Sequence, residues 1–138
     1  MKTNRSFLSK ILVGIAFAAL MLFAPTVQAQ QNKMNDVLLH NVYFWLNEPQ
    51  NPEARKQFEA AIDKLVKIDN IKMSHLGVPA STEQRDVVDH TYTYAMMLVF
   101  DSKEAQDIYQ VHPLHEQFVE ENSHLWEKVV VYDSSDIE

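Results

Sequence analysis

The run Tyr109-Gln110-Val111-His112-Pro113-Leu114-His115-Glu116-Gln117-Phe118 places one phenol and two imidazoles on a short stretch of chain. An imidazole takes or gives a proton near neutral pH, so His115 is a candidate general base. A phenol stays protonated until about pH 10 and donates a hydrogen bond. Tyr109 is therefore suited to orient a carbonyl or to stabilise a developing enolate. Pro113 stands between the two. It breaks a continuous helix, so spacing alone does not bring their rings together. The structural alternative is that Tyr109 packs at a helix end while His115 satisfies a backbone group. His112 precedes the proline, where helical backbone is disfavoured, and is expected to cap the segment that follows. His40, in Leu39-His40-Asn41-Val42, sits among apolar residues. A lone histidine there is more often a satisfied core group than a catalyst. It gains chemical interest if a second imidazole and a phenol converge on it.

A metal reading would use His112-x-x-His115 with Glu116, Glu120 or His124 as further ligands. The chain has no H-E-x-x-H pattern, and the proline interrupts the helical geometry that such ligands need, so no metal is expected. His75, His90 and His124 have no evident partners and read as surface residues. Glu116, Glu120 and Glu121 read as a solvated helix face, on which Glu120 and His124 are spaced for an ordinary i, i+4 pair. No glycine-rich loop is present to cradle a phosphate, and no cofactor is implied.

The elements that must hold these residues begin after a distinct N-terminus. Lys2, Arg5 and Lys10 surround the start of an almost unbroken apolar run from Ile11 to Phe23. Thirteen residues fall short of the roughly 20 needed to span a bilayer and suit the apolar core of a signal peptide. Val27-Gln28-Ala29 supplies a cleavage site, so residues 1–29 are expected to be a signal peptide and 30–36 a disordered lead. The domain itself occupies 37–138. An uncleaved membrane anchor is the alternative. Export without a second membrane signal implies a periplasmic or secreted protein. The chain carries a net charge of −7, and the proposed cleavage makes it more acidic still. With no basic stripe, binding to nucleic acid or to anionic lipid is not expected. There is no cysteine, so thiol catalysis and thiolate metal sites are excluded. The exported domain must hold itself by core packing or oligomerisation.

Val37 to Asn47 is dense in aliphatic and aromatic residues and reads as a strand. Asn51-Pro52-Glu53 opens a helix, with Asn at the N-cap, Pro at the first position and an acid in the first turn. Phe58, Ala61, Ile62 and Leu65 form its apolar stripe, to about Lys67. Ile71 to Val78 reads as a second strand. Gly77 near its end is expected to mark a bulge or a close backbone approach. Pro79 to His90 is a polar loop, and Thr91 to Phe100 a third strand. Asp101 and Glu104 have capping-box spacing, so a second helix is expected from there to about Val111. Leu114 to Trp126 reads as a further helical piece, and Val129 to Asp133 as the last strand.

The order β-α-β-β-α-β is the ferredoxin-like arrangement, a four-stranded antiparallel sheet with helices on one face. Such a sheet ordinarily has one apolar and one wet face. Here Leu38, Val42, Phe44 and Leu46 oppose Leu39, Tyr43 and Trp45 on the first strand. On the third, Tyr92, Tyr94, Met96, Leu98 and Phe100 oppose Ala95, Met97 and Val99. Both faces call for burial. Helices cover one, and an identical sheet would cover the other, giving a homodimer through the open face. A cavity lined by Phe44, Tyr94, Met96 and Trp126 would suit an aromatic or acyl ligand.

The chain resembles the stress-responsive A/B barrel domains, a family of dimeric α+β barrels. The likeness covers about Leu38 to Asp133. Its marks are His40 in the first strand, Leu76-Gly77 ending the second, Phe100 ending the third, Tyr109-x-x-His112-Pro113-x-His115-x-x-Phe118, Trp126, and the closing Val131-Tyr132-Asp133. The resemblance implies a two-fold dimer and an association with stress responses. In a plant polyketide cyclase similar to this domain, the Tyr and second His of the run promote an aldol-type ring closure in a cavity between sheet and helices. By position these are Tyr109 and His115, with His40 lining the same cavity. That cyclase has a third-strand His where this chain has Tyr94. Three functions follow as expectations: a protein that binds a small apolar or aromatic ligand, a cofactor-free acid-base enzyme using Tyr109, His115 and His40, or a purely structural dimerisation module.

Overall fold

The computed structural model describes residues 34–137. The expected signal peptide and most of the lead lie outside the described residues. Eight elements follow in order: β1 (Leu38–Leu46), α1 (Pro52–Leu65), β2 (Met73–Gly77), β3 (Tyr94–Phe100), α2 (Lys103–Gln110), α3 (Pro113–Asn122), one 3-10 turn (Ser123–Leu125) and β4 (Trp126–Ser135). The four strands form one sheet in the order β2-β3-β1-β4, and every neighbouring pair is antiparallel. This is the ferredoxin-like topology. Among the described residues no helix is long and apolar enough to cross a membrane.

The helix ends follow local chemistry. The Asn51 side chain accepts from the amides of Glu53 and Ala54, and Pro52 occupies the first turn of α1. α2 is capped by Ser102, not by the expected Asp101: Ser102 Oγ accepts from the Ala105 amide at 3.2 Å. β3 starts at Tyr94 rather than Thr91, because Thr93 Oγ1 takes the Leu46 amide at 3.0 Å in place of a backbone carbonyl. The helical piece expected to reach Trp126 stops at Asn122, and β4 starts at Trp126 instead of Val129. Gly77 has no left-handed backbone and no bulge. A Cβ there would meet His75 Nε2 at 2.9 Å, so the close approach comes from a side chain two residues back.

The bulge lies elsewhere. Trp45 pairs with Lys128, and the next β1 residue, Leu46, pairs with Trp126, leaving Glu127 as the extra residue. Side chains alternate between faces along a regular strand, so an inserted residue exchanges the faces on either side of it. Trp126 thereby joins Leu46 on the helix side, while Lys128 stays with Trp45 on the other.

The core lies between the sheet and the helices. Val42, Phe44 and Leu46 of β1 and Tyr94, Met96, Leu98 and Phe100 of β3 meet Phe58, Ala61, Ile62 and Leu65 of α1, Tyr109 of α2 and Phe118 of α3. The second sheet face carries Leu39, Tyr43, Trp45 and Met97 half-buried, with Met73 and Tyr132 exposed. None of these belongs to the core cluster. Tyr43 meets Tyr92 and Tyr132 edge-on at ring distances of 5.1 and 6.0 Å, so aromatic contacts run along this face.

Candidate functional site

The helix layer stops short of β4. On the helix side of the sheet, Phe44 pairs with Val129, Val42 with Val131 and His40 with Asp133. The β1 members of these pairs are buried, yet Val129 and Val131 remain 44% and 45% exposed. The gap left between β4 and the α2–α3 pair is a cavity of 340 Å³. Its walls include His40, Phe44, Met96, Tyr109, His115 and Trp126. Six of the seven side chains singled out from the sequence thus share one space, of a size suited to a small ligand. Larger clefts of 570, 720 and 460 Å³ exist at the sheet end, beside the start of α1 and beside Trp45, and carry charged side chains, but none of the three brings two imidazoles and a phenol together.

Tyr94 does not line this cavity. It is buried on the α1 side of the core, stacked on Phe58 at 4.8 Å, with the Arg55 guanidinium over its ring and its hydroxyl donating to Glu59. Burial, and then the Glu59 carboxylate, push its phenol up to about 12. Strand alternation puts Tyr94 on the correct face but says nothing of position along it.

Three groups converge at the other end. Tyr109, on the last turn of α2, is 1% exposed, with its ring 4.7 Å from that of His115, 5.1 Å from Phe100 and 5.9 Å from His40. Burial holds its phenol above the ordinary tyrosine range, so it remains a hydrogen-bond donor. Its hydroxyl has no hydrogen-bond partner among the described residues. No buried side-chain nitrogen or oxygen there is left unpaired, so this oxygen opens on the cavity.

The two imidazoles are each held by Nδ1. In His40 it contacts the Asp133 carboxylate at 2.6 Å. In His115 it contacts the Gln110 carbonyl at 3.0 Å. A carbonyl only accepts, so His115 Nδ1 carries the proton and Nε2 is left as a base. A carboxylate imposes the same tautomer on His40. Burial lowers the His115 pKa below 6.5. Nearby His40 pushes the same way, and the Gln110 carbonyl and Glu116 oppose it. His115 is therefore neutral and able to accept a proton near pH 7.

His112 takes no part in this set. It is the N-cap of α3, its Nδ1 accepting from the Leu114 amide at 3.1 Å. His90 meets Thr82 Oγ1 at 3.2 Å, and His75 and His124 are exposed. Among the described residues no three His, Asp or Glu side chains gather to hold a metal ion. Sequence reasoning missed Asp133 and the Gln110 carbonyl as the partners of the two imidazoles. Asp133 was within reach of it: pairing the first and last strands, as the topology requires, sets an acid on β4 beside His40, but only the register names which one.

The fold has close counterparts among solved structures. A Mesorhizobium loti protein of the Dabb family with a ferredoxin-like fold is 21% identical, with a TM-score of 0.62 over 74% of this chain and 98% of that one. The hydroxynitrile lyase of Passiflora edulis is 21% identical, with a TM-score of 0.63 over 76% of this chain and 97% of that one. A dimeric ferredoxin-like protein of unknown function from Thermobifida fusca is 19% identical, with a TM-score of 0.58 over 74% and 92%. At these identities the likeness is one of fold. No curated protein sequence matches the chain. The family model of the stress responsive A/B barrel domain matches residues 38–136, which span every strand and helix described above; the chain belongs to that family.

Proposed function

We propose that the cavity between β4 and the α2–α3 pair binds a small aromatic or acyl compound bearing a carbonyl or enol group. The observation that carries this reading is the Tyr109 hydroxyl, a donor with no partner among the described residues, which opens on a cavity that the His40 and His115 imidazoles also line. A hydroxyl that opens on a cavity with apolar walls can donate to a ligand acceptor in place of water, so the site suits a ligand that supplies one. Phe44, Met96, Phe118 and Trp126 provide apolar walls for the rest of it. The purely structural reading calls for a filled interior and draws no support from this geometry.

The test is a titration of the protein with aromatic ketones and β-dicarbonyl compounds, followed by tryptophan fluorescence and preceded by native mass spectrometry of unrefolded protein. Saturable quenching, weakened in Tyr109→Phe and His115→Ala while both stay folded, is the expected result. Binding indifferent to both substitutions would sink the reading.

A second reading, a cofactor-free acid-base enzyme, is favoured by the ionisation states of the pair. His115 is neutral and Tyr109 protonated near pH 7. His115 Nε2 would take the proton from the carbon next to a ligand carbonyl. The C–H electron pair would pass into the carbonyl to give an enolate, which Tyr109 would stabilise by hydrogen bonding. Isomerisation or aldol-type closure would follow. Exchange of that proton for deuterium, followed by NMR and abolished in His115→Ala, would distinguish turnover from binding alone.

The reading includes a two-fold dimer through the second sheet face, whose aromatic and aliphatic side chains lie outside the core cluster. It also includes export to the periplasm or beyond, argued from the apolar run and cleavage site near the N-terminus. Sequencing the N-terminus of the cell-derived protein tests the export reading: a start at Gln30 supports it, and a start at Met1 refutes it.

A further inference from the structure

We infer that the His112–Pro113 junction is a positioning device that sets the tautomer of His115, presenting Nε2 rather than Nδ1 to the cavity as its proton acceptor. In an unbroken helix the carbonyl of Gln110 would accept from the amide four residues on, that of Leu114. Here α2 ends at Gln110 and α3 begins at Pro113. The Leu114 amide turns instead to His112 Nδ1, at 3.1 Å. Gln110 thus keeps a carbonyl that the helix does not use, and His115 Nδ1 takes it at 3.0 Å. A neutral imidazole carries one ring proton, and a carbonyl can only accept, so that proton is on Nδ1.

His112 is held the other way. Its Nδ1 accepts from an amide, so its own proton is on Nε2. One helix break therefore holds two histidines, three residues apart, in opposite tautomers. Neutral histidine in water prefers the Nε2–H form, so it is His115 that the junction turns against its free preference. Packing alone does not account for this, because a ring of either tautomer fills the same volume. Proline is required to end α2 before the Leu114 amide can reach Gln110, and His112 is required to hold that amide once it is free.

The inference rests on the reading of His115 as the acceptor in the cavity, but the tautomer can be measured without any ligand. The experiment is a two-bond nitrogen–proton correlation spectrum of the ring nitrogens in the uniformly labelled, ligand-free protein, above the pH at which either histidine is protonated. In the wild type, the His115 proton is expected on Nδ1 and the His112 proton on Nε2. Pro113→Ala lets the helix run on and returns the Gln110 carbonyl to Leu114, so the His115 proton moves to Nε2. His112→Ala is expected to shift it in the same direction. His112→Asn keeps an oxygen acceptor for the Leu114 amide and restores the wild-type spectrum. Should Pro113→Ala fail to fold, the two His112 variants decide the matter. A wild-type His115 protonated on Nε2 overturns the inference, as does a proton that stays on Nδ1 in every folded variant. A cavity that binds none of the carbonyl compounds would leave the tautomer result standing, so the two failures can be told apart.

Discussion

Tyr109 contributes two separable things, a ring and a hydroxyl. The ring fills the space between Phe100, His40 and His115 and is core. The hydroxyl bonds to no described residue, so its removal leaves the core packing in place. Tyr109→Phe is expected to change unfolding stability by less than about 1 kcal/mol while weakening ligand binding several-fold, by the loss of one hydrogen bond. Urea denaturation and a fluorescence titration measure the two. His115 makes a different demand. Its folded pKa lies below the 6.5 of the unfolded chain, because burial disfavours the imidazolium. Between those two values the unfolded chain binds more protons, so stability rises with pH through that window. The stability is fully present above pH 6.5 and falls as the pH drops towards the folded value. His115→Gln removes this dependence, and denaturation curves taken from pH 5 to 7.5 should show a shallower loss on the acid side than the wild type. An unchanged slope would place His115 in a more solvated setting than the structure describes.

Single residues also decide the elements. α1 begins where Asn51 caps two amides and Pro52 supplies a preset first turn. Asn51→Ala is expected to lower unfolding stability by about 1 kcal/mol. That loss leaves the cavity untouched, because α1 packs on the far side of the core from it, so ligand affinity serves as the internal control. The bulge in β4 matters more to the site. With Glu127 as the extra residue, Trp126 faces the core and stacks on Phe118 at 5.6 Å, while Lys128 lies over Trp45 on the opposite face at 4.0 Å. Deleting Glu127 makes Trp126 the direct neighbour of Lys128, so regular alternation keeps Trp126 on the core face with Leu46 and Lys128 on the other. Trp126→Ala, by contrast, removes a large aromatic packed against the core and is expected to cost about 3 kcal/mol. In a Trp45→Phe background, Trp126 emission should stay unmoved on deletion of Glu127. Emission moved to longer wavelength would mean that β4 shifts its register instead.

At the scale of the molecule, one sheet separates two different surfaces. Its helix side is a packed core that opens into a cavity along β4. Its other side carries aromatic and aliphatic residues of all four strands. Exposed apolar faces of this kind ordinarily mark an association surface. Met97 lies on this face near its middle, paired with Asn41 on one side and His75 on the other. Met97→Glu is expected to leave a folded monomer where the wild type sediments as a dimer, since burying an unpaired carboxylate in an interface is strongly unfavourable. A wild type that sediments as a monomer would refute the two-fold reading. Because the cavity is enclosed by one chain's own β4, α2 and α3, the Met97→Glu monomer should keep its ligand affinity within a few-fold.

Most of the architecture could be read from the chain itself, because it rests on local chemistry. Alternation in β1 and β3, the Phe58-Ile62-Leu65 stripe, the Asn51 cap and the Pro113 break each act within a few residues, and together they imply the strand order. The same local rules placed His40 on the core face and His112 at a helix cap. Tertiary structure decided whatever depends on register. Which acid meets His40 depends on how β1 slides against β4, and the answer is Asp133. Which face Trp126 takes depends on the single extra residue at Glu127, and alternation in β4 alone predicts the wrong one. Whether Tyr109 and His115 meet across a proline depends on the angle between two short helices, which no spacing in the sequence encodes. Tyr94 shows the same limit from the other side. Its type and face suit a cavity wall, but the sheet carries it to the α1 end of the core, where Phe58 and Glu59 hold it.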